Sequence, residues 1–276
     1  MKKLRLGFST CPNDTFIFDA MVHHKVDTEG LEFDYFLADV EELNKISFEG
    51  NIDITKISFH AYAYIADKFK ILEPGSALGR NNGPLLISKR KIYPDEVPFV
   101  KIAIPGRNTT ANLLLHIAYP DVKDLHEYLF SDIEEAVLTD EVDAGLIIHE
   151  SRFTYEKKGL RKVVDLGEYW EETTGLPVPL GGIIINRNLD EETMHKVNRV
   201  LRRSIDYAYA NPSESYEFIK KYAQEMEEDV MYKHIELYVN EYTLALGNDG
   251  RDAIRYLYQK GHEVGLIPEV REDIFV

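Results

Sequence analysis

Gly145-Leu146-Ile147-Ile148-His149-Glu150-Ser151-Arg152-Phe153 sets an imidazole, a carboxylate and a guanidinium directly behind a strand-like apolar run. In α/β proteins a polar group just past a strand's C-terminal end faces the crevice where ligands bind. A histidine there can take or give a proton near neutral pH without a metal. His149 is thus the first candidate for acid–base chemistry. The competing structural role is a strand-end histidine that hydrogen-bonds Glu150 or a backbone group.

Two other stretches carry groups suited to holding an anion or a hydroxyl. Pro105-Gly106-Arg107-Asn108-Thr109-Thr110-Ala111-Asn112-Leu113 reads as a strand-to-helix turn. Gly106 permits a close backbone approach, and Asn108, Thr109 or Thr110 can cap the helix while other N–H groups stay free for a ligand. Plain capping is the bland alternative, but the turn holds more hydroxyls than a cap requires. Lys56-Ile57-Ser58-Phe59-His60 is the counterpart earlier in the chain. Ser58 can open a helix, and its hydroxyl with nearby N–H groups can hold a carboxylate or hydroxyl. His60 reads as structural. Gly79-to-Pro84 reads as a turn between strands, and Gly175-to-Gly182 as a pocket wall or hinge. Cys11, the sole cysteine, reads as a small buried residue rather than a nucleophile. The other histidines show no metal-ligand spacing. No Walker loop, dinucleotide fingerprint or nucleophile elbow is present, so neither a metal nor a cofactor is expected.

Alternating strands and helices must position these groups. Lys3 to Phe8, Leu31 to Leu37, Ile52 to Ile54, Phe69 to Leu72 and Pro84 to Ser88 read as strands. Helices are expected near Thr15 to His24, Val40 to Phe48 and Ser58 to Ala66. A connector near residue 90 leads into a second series: strand Val100 to Ile104, helix Thr110 to Tyr119, helix Ile133 to Leu138 and strand Ala144 to Ile148. Gly182 to Asn186 can carry the chain back, and from Leu189 onward the pattern is mostly helical. The alternation predicts mainly parallel sheets with helices on both faces. Ile52-Asp53-Ile54 and Val142-Asp143-Ala144 echo one another, each behind an acidic helix-like segment. Two similar α/β lobes with a cleft between them follow, and such clefts are favoured small-molecule sites.

The 276 residues carry a formal net charge of −16, which opposes nucleic acid and anionic membranes at long range but not a small anion held by local donors. A single cysteine excludes internal disulfides and a cysteine-built zinc site. No signal-peptide pattern and no apolar run of membrane-spanning length is seen, so a cytoplasmic location is expected.

Taken in order, several segments resemble the 1,4-dihydroxy-6-naphthoate synthase family of the futalosine route to menaquinone. They are Ser9 to Phe16, Asp53 to Tyr62, Ala77 to Arg80 with Gly83 to Leu86, and Ile104 to Gly106 with Thr109 to Ala111. Asp143 to Glu150 with Arg152 to Tyr155, Thr174 to Pro177 with Pro179 to Gly182, and His234 to Asn240 continue the match over nearly the whole chain. The resemblance implies a fold like the type II periplasmic binding proteins: two α/β lobes, each a mixed, mostly parallel sheet flanked by helices, joined by two crossovers. Residues 1–90 with 187–276 would form the large lobe and 91–186 the small one, with the active-site cleft between them. It also implies a cytoplasmic carbon–carbon lyase without cofactor, converting cyclic dehypoxanthinylfutalosine to 1,4-dihydroxy-6-naphthoate with release of dihydroxyacetone. His149 matches the family's proton acceptor, and Lys56, Ile57, Ser58, Thr109 and Thr110 match its substrate-binding segments. Two alternatives share the fold: the chorismate dehydratase of the same pathway, and a non-catalytic small-anion-binding protein. The His149-to-Arg152 and Gly175-to-Gly182 segments speak against the first, and the missing export signal against the second.

Overall fold

Leu4, Leu6 and Phe8 turn inward from the opening strand and are buried. In the computed structural model, which describes residues 2–223 and 227–276, that strand belongs to the first of two sheets. The first sheet contains β1 (Lys2–Phe8), β2 (Leu31–Leu37), β3 (Ile54–Ser58), β4 (Phe69–Ile71) and β5 (Ala77–Gly79). The second contains β6 (Leu85–Ser88), β7 (Ile102–Ile104), β8 (Leu125–Glu127), β9 (Ala144–Ile147) and β10 (Arg161–Asp165). A last strand, β11 (Val178–Asn186), returns to the first sheet.

The strand orders correspond. The first sheet runs β2-β1-β3-β11-β4, with β5 also on β11; the second, read from its far edge, runs β8-β7-β9-β6-β10. In each, a central strand lies parallel to two neighbours, and the next strand joins antiparallel from across a crossing. The echoed aspartates do one job in both: Asp53 Oδ2 accepts from Arg5 N at 2.8 Å and Asp143 Oδ2 from Lys101 N at 3.0 Å. Each pins the entry of one strand of the inner trio to its neighbour.

This pairing moves the expected boundaries. Leu85–Ser88 pairs with β9 and β10, and Val178–Asn186 pairs with β3. The chain therefore crosses between sheets at residues 80–84 and 175–177, not near 90 and 187. Composition cannot see this, because it does not report which partner a strand finds. Gly79-to-Pro84 is thus a crossing as well as a turn, and most of Gly175-to-Gly182 is strand. The crossings are tied together: Arg80 Nη2 donates to the Gly175 carbonyl at 2.9 Å, and Asn81 N to Glu171 Oε1 at 2.7 Å.

The helices are α1 (Pro12–Val22), α2 (Val40–Glu49), α3 (Phe59–Tyr62), α4 (Thr110–Ala118), α5 (Ile133–Leu138) and α6 (Leu166–Thr174). They continue with α7 (Glu191–Ala210), α8 (Tyr216–Tyr222) and α9 (Glu228–Tyr238), before shorter and longer helices near the C-terminus. α7 buries Met194, Val197, Leu201, Ile205 and Ala208, a helical-period stripe, in one core with Leu6, Phe8, Ile17 and Met21. Each of the larger side chains among them gains roughly 1.5–3 kcal/mol from leaving water. A second core runs through both halves, joining Ile57 and Phe59 to Leu86, Ile102 and Leu146. Two local expectations shift. The strand expected at Ile52–Ile54 is Ile54–Ser58, and the helix after it closes at Tyr62. All five residues of β3 are buried, so they show none of the alternation that would have marked a strand. No helix among the described residues is long and apolar enough to cross a membrane.

Candidate active site

The C-terminal ends of β1, β3, β7 and β9 converge on one cavity. Ser9, Asp14, Lys56 and Ser58 reach it from the first sheet, and Thr109, Thr110, Ile148 and His149 from the second. Leu180 and Gly181 of β11 and Tyr238 of α9 also line it. All six residues singled out in the sequence, Lys56, Ile57, Ser58, Thr109, Thr110 and His149, are in this lining.

His149 follows β9 through the extended Ile148 and opens a 3₁₀ turn, His149–Phe153. Its φ is +60°, in the left-handed region that a Cβ disfavours, and such strain of about 1–3 kcal/mol persists only where the surroundings impose it. The ring is half-buried yet closely framed. Phe130 meets it edge-on with centroids 4.9 Å apart, and His234 lies tilted at 6.2 Å. Nδ1 stands 3.2 Å from Cys11 Sγ. Nε2 has no hydrogen-bond partner among the described residues. Burial pushes the imidazole pKa down to about 4; Asp14 opposes that shift and Lys56 adds to it. The ring is therefore neutral at physiological pH. The side chain of Glu150 lies outside the described residues.

Opposite, Lys56 Nζ pairs with Asp14 Oδ1 at 3.0 Å, and both side chains are buried. Asp14 also accepts from Ser9 N at 3.1 Å, Ser9 Oγ at 2.7 Å and Asn13 Nδ2 at 2.9 Å. Four donors leave this carboxylate internally satisfied, so the pair is a fixed polar wall. Asn13 Oδ1 accepts from His234 Nε2 at 2.9 Å. Burial, with His149 and Lys56 nearby, holds His234 well below the usual histidine range.

The hydroxyls expected to hold a ligand divide into two groups. Ser58 precedes α3 but makes no side-chain cap; its Oγ accepts from Asn44 Nδ2 at 3.1 Å. Its proton thus remains for an acceptor. Thr109 caps α4, accepting from Asn112 N at 3.3 Å and donating to the Gly106 carbonyl at 2.8 Å. Thr110 Oγ1 donates to the Leu180 carbonyl at 2.6 Å and accepts from His60 N at 3.2 Å. Both threonine hydroxyls are spent within the protein. What this side offers is the start of a nine-residue helix, where backbone N–H groups and the helix dipole favour an anion. His60 is structural, as expected: Nδ1 donates to the Thr109 carbonyl at 3.1 Å, and burial lowers its pKa to about 4.

Sequence reasoning missed Asp14, Ser9, Asn44 and Tyr238, and undervalued Cys11. Ser9, Cys11 and Asp14 lie in the Ser9-to-Phe16 segment and Tyr238 in His234-to-Asn240, and the strand-end rule that singled out His149 applies equally to the end of β1. Among the described residues no group of three or more His, Cys, Asp or Glu side chains is arranged to hold a metal ion.

Residues 4–263 match the family described as menaquinone biosynthesis. The chain belongs to the menaquinone-biosynthesis family. A family relative from Thermus thermophilus, called "1,4-dihydroxy-6-naphtoate synthase", is 42% identical over 276 residues, the full length of both chains. One of the same description from Streptomyces coelicolor is 38% identical over 275 residues, covering 98% of this chain and 96% of the relative. The crystal structure of an Archaeoglobus fulgidus protein, 40% identical, superposes with a TM-score of 0.91 over 96% of this chain and 98% of its own. The fold is also that of periplasmic binding proteins. The alkanesulfonate-binding protein of Xanthomonas axonopodis pv. citri, at 14% identity, gives a TM-score of 0.73 over 100% of this chain and 96% of its own.

Proposed function

We propose that the chain is a lyase that converts cyclic dehypoxanthinylfutalosine to 1,4-dihydroxy-6-naphthoate and releases dihydroxyacetone. The observation that carries this reading is the full-length match to the two relatives bearing the naphthoate synthase description. The cavity supports it, because one neutral imidazole faces a set of anion and hydroxyl donors there.

In this reading His149 is the general base. In the tautomer that directs Nδ1–H at Cys11 Sγ, the lone pair lies on Nε2, which takes a proton from a substrate hydroxyl. The oxygen left behind becomes a carbonyl as the adjacent carbon–carbon bond breaks in a retro-aldol sense. The released electron pair enters the ring system, where aromatisation drives the step forward. General-base help is worth roughly 10²–10⁴-fold, and the rest of the rate must come from positioning in a closed cavity. Ser58 and the backbone at Thr109 and Thr110 hold the substrate's oxygens; Lys56 and Ile57 shape the wall beside them. The substrate is a small anion, and no cofactor takes part. The reading carries a cytoplasmic enzyme rather than an exported receptor, supported by membership of a biosynthetic family.

The test is incubation of the purified protein with the cyclic futalosine derivative and, separately, with chorismate, followed by mass spectrometry. Formation of 1,4-dihydroxy-6-naphthoate from the first alone is expected. Dehydration of chorismate, or tight binding without turnover, would overturn the reading.

A further inference from the structure

The turn that carries His149 is anchored on its far side by Arg152. Nη1 donates to the Gly83 carbonyl, and Nη2 to Asp165 Oδ2 at 2.9 Å. Gly83 belongs to the outgoing crossing, and Asp165 ends β10 and caps α6, its Oδ1 accepting from Gly167 N at 2.9 Å and Glu168 N at 3.1 Å. At this point the two backbones touch: a Cβ on Gly83 would stand 2.2 Å from Gly167 Cα. The guanidinium therefore bridges the crossing and the segment that feeds the return, three residues beyond the imidazole. Its side chain is 16% exposed and that of Asp165 9%, so water screens the pair poorly. A second anchor, Ser151 Oγ to Glu134 Oε2 at 3.2 Å, fixes the outer edge of the same turn.

We propose that Arg152 is a positioning residue: its fork, spanning Gly83 and Asp165, holds the 3₁₀ turn so that His149 keeps its left-handed backbone and its place in the cavity. The inference deepens the functional reading and rests on His149 being the base. A single left-handed histidine is strained, and it stays so only while rigid contacts on either side forbid relaxation. The bidentate geometry also makes lysine a poor substitute, since it offers one point of charge where two directed donors are needed.

The test compares Arg152→Met, Arg152→Lys and Asp165→Asn with the parent. Asparagine keeps the α6 cap but removes the charge that Arg152 meets, which spares the fold if the arginine variants do not fold. Turnover is expected to fall roughly ten- to a hundredfold in Arg152→Met, less in Asp165→Asn, with KM within about threefold of the parent. Arg152→Lys is expected to stay close to Arg152→Met. The second readout is the ¹⁵N-detected titration of His149, which a purely structural arginine would leave unchanged. Release of the turn admits water to the ring, so its pKa is expected to rise from about 4 toward the usual histidine range. The other groups facing the ring, Asp14, Lys56, Cys11 and His234, are unaltered in these variants. Folded variants with parental turnover and an unmoved titration would overturn the proposal. The titration needs no substrate, so a parent protein inert toward the cyclic compound would sink the functional reading while this one is still decided.

Discussion

β3 and β9 occupy equivalent places in their sheets, and each is followed two residues beyond its end by a histidine, His60 or His149. Burial lowers both rings to about 4. Their surroundings differ. His60 enters a short helix in ordinary geometry, and its backbone N–H and Nδ1 both clasp the start of α4. Tyr64 Oη stands 3.4 Å from its Nε2. His149 enters its turn with a positive φ, leans Nδ1 on a thiol and lines the cavity. A depressed pKa therefore does not by itself set the proposed base apart from His60. The distinguishing features are backbone strain and a nitrogen left over for a ligand.

The sharpest way to break this comparison is to replace each ring. His149→Asn is expected to lower turnover at least about 10²-fold with the fold kept, and near-normal turnover would remove His149 from the mechanism. His60→Asn is expected to cost about 1–3 kcal/mol of stability through its lost buried bonds, with much the smaller loss of turnover. Urea denaturation alongside steady-state assays separates the two outcomes. If His60→Asn lost more turnover than His149→Asn, the assignment of roles would be reversed.

Acid titration probes what the two rings share. The unfolded chain takes up a proton near pH 6.5 at each ring, whereas the folded chain waits until about pH 4. Between those values the unfolded state binds more protons, so stability rises with pH. The contribution is full above about pH 6.5 and is lost as pH falls toward 4, at up to about 1.4 kcal/mol per pH unit for each ring. Either asparagine variant is expected to flatten the measured slope. The acid limb of turnover is expected near pH 4 and absent only in the His149 variant; a limb near 6.5 would contradict a base held neutral by its surroundings.

The smallest expected effects concern the hydroxyls. Ser58→Ala removes a free donor and is expected to raise KM several-fold, about 1 kcal/mol, with little change in stability. Thr110→Val removes bonds to Leu180 and His60 instead, so it is expected to lower the melting temperature as well. Equal stability loss in both would mean that the Ser58 hydroxyl is structural too.

Much of this architecture was legible in the residues. The alternation of strand and helix, the paired aspartates at 53 and 143, and the polar residues past strand ends are local signals. Each depends on a few neighbouring side chains and on the two- or 3.6-residue period of the element. Ser58, Thr109 and His149 were singled out in that way, and all three line the cavity. β5, β8 and β10 were not: the first two are three residues long and β10 is partly exposed, and the true crossings were hidden because β6 and β11 are apolar runs that suit either sheet.

The amino-acid order by itself determined which groups could do chemistry and at which strand ends they would stand. Tertiary structure alone decided how they meet. Cys11 touches His149 across 138 residues, and Lys56 meets Asp14 across 42. The same folding spends the threonine hydroxyls inside the protein and drives an ordinary imidazole down to about 4. Periodicity shows which face of an element is buried but not what lies against it, and both pKa shifts and hydrogen-bond allegiance depend on that neighbour.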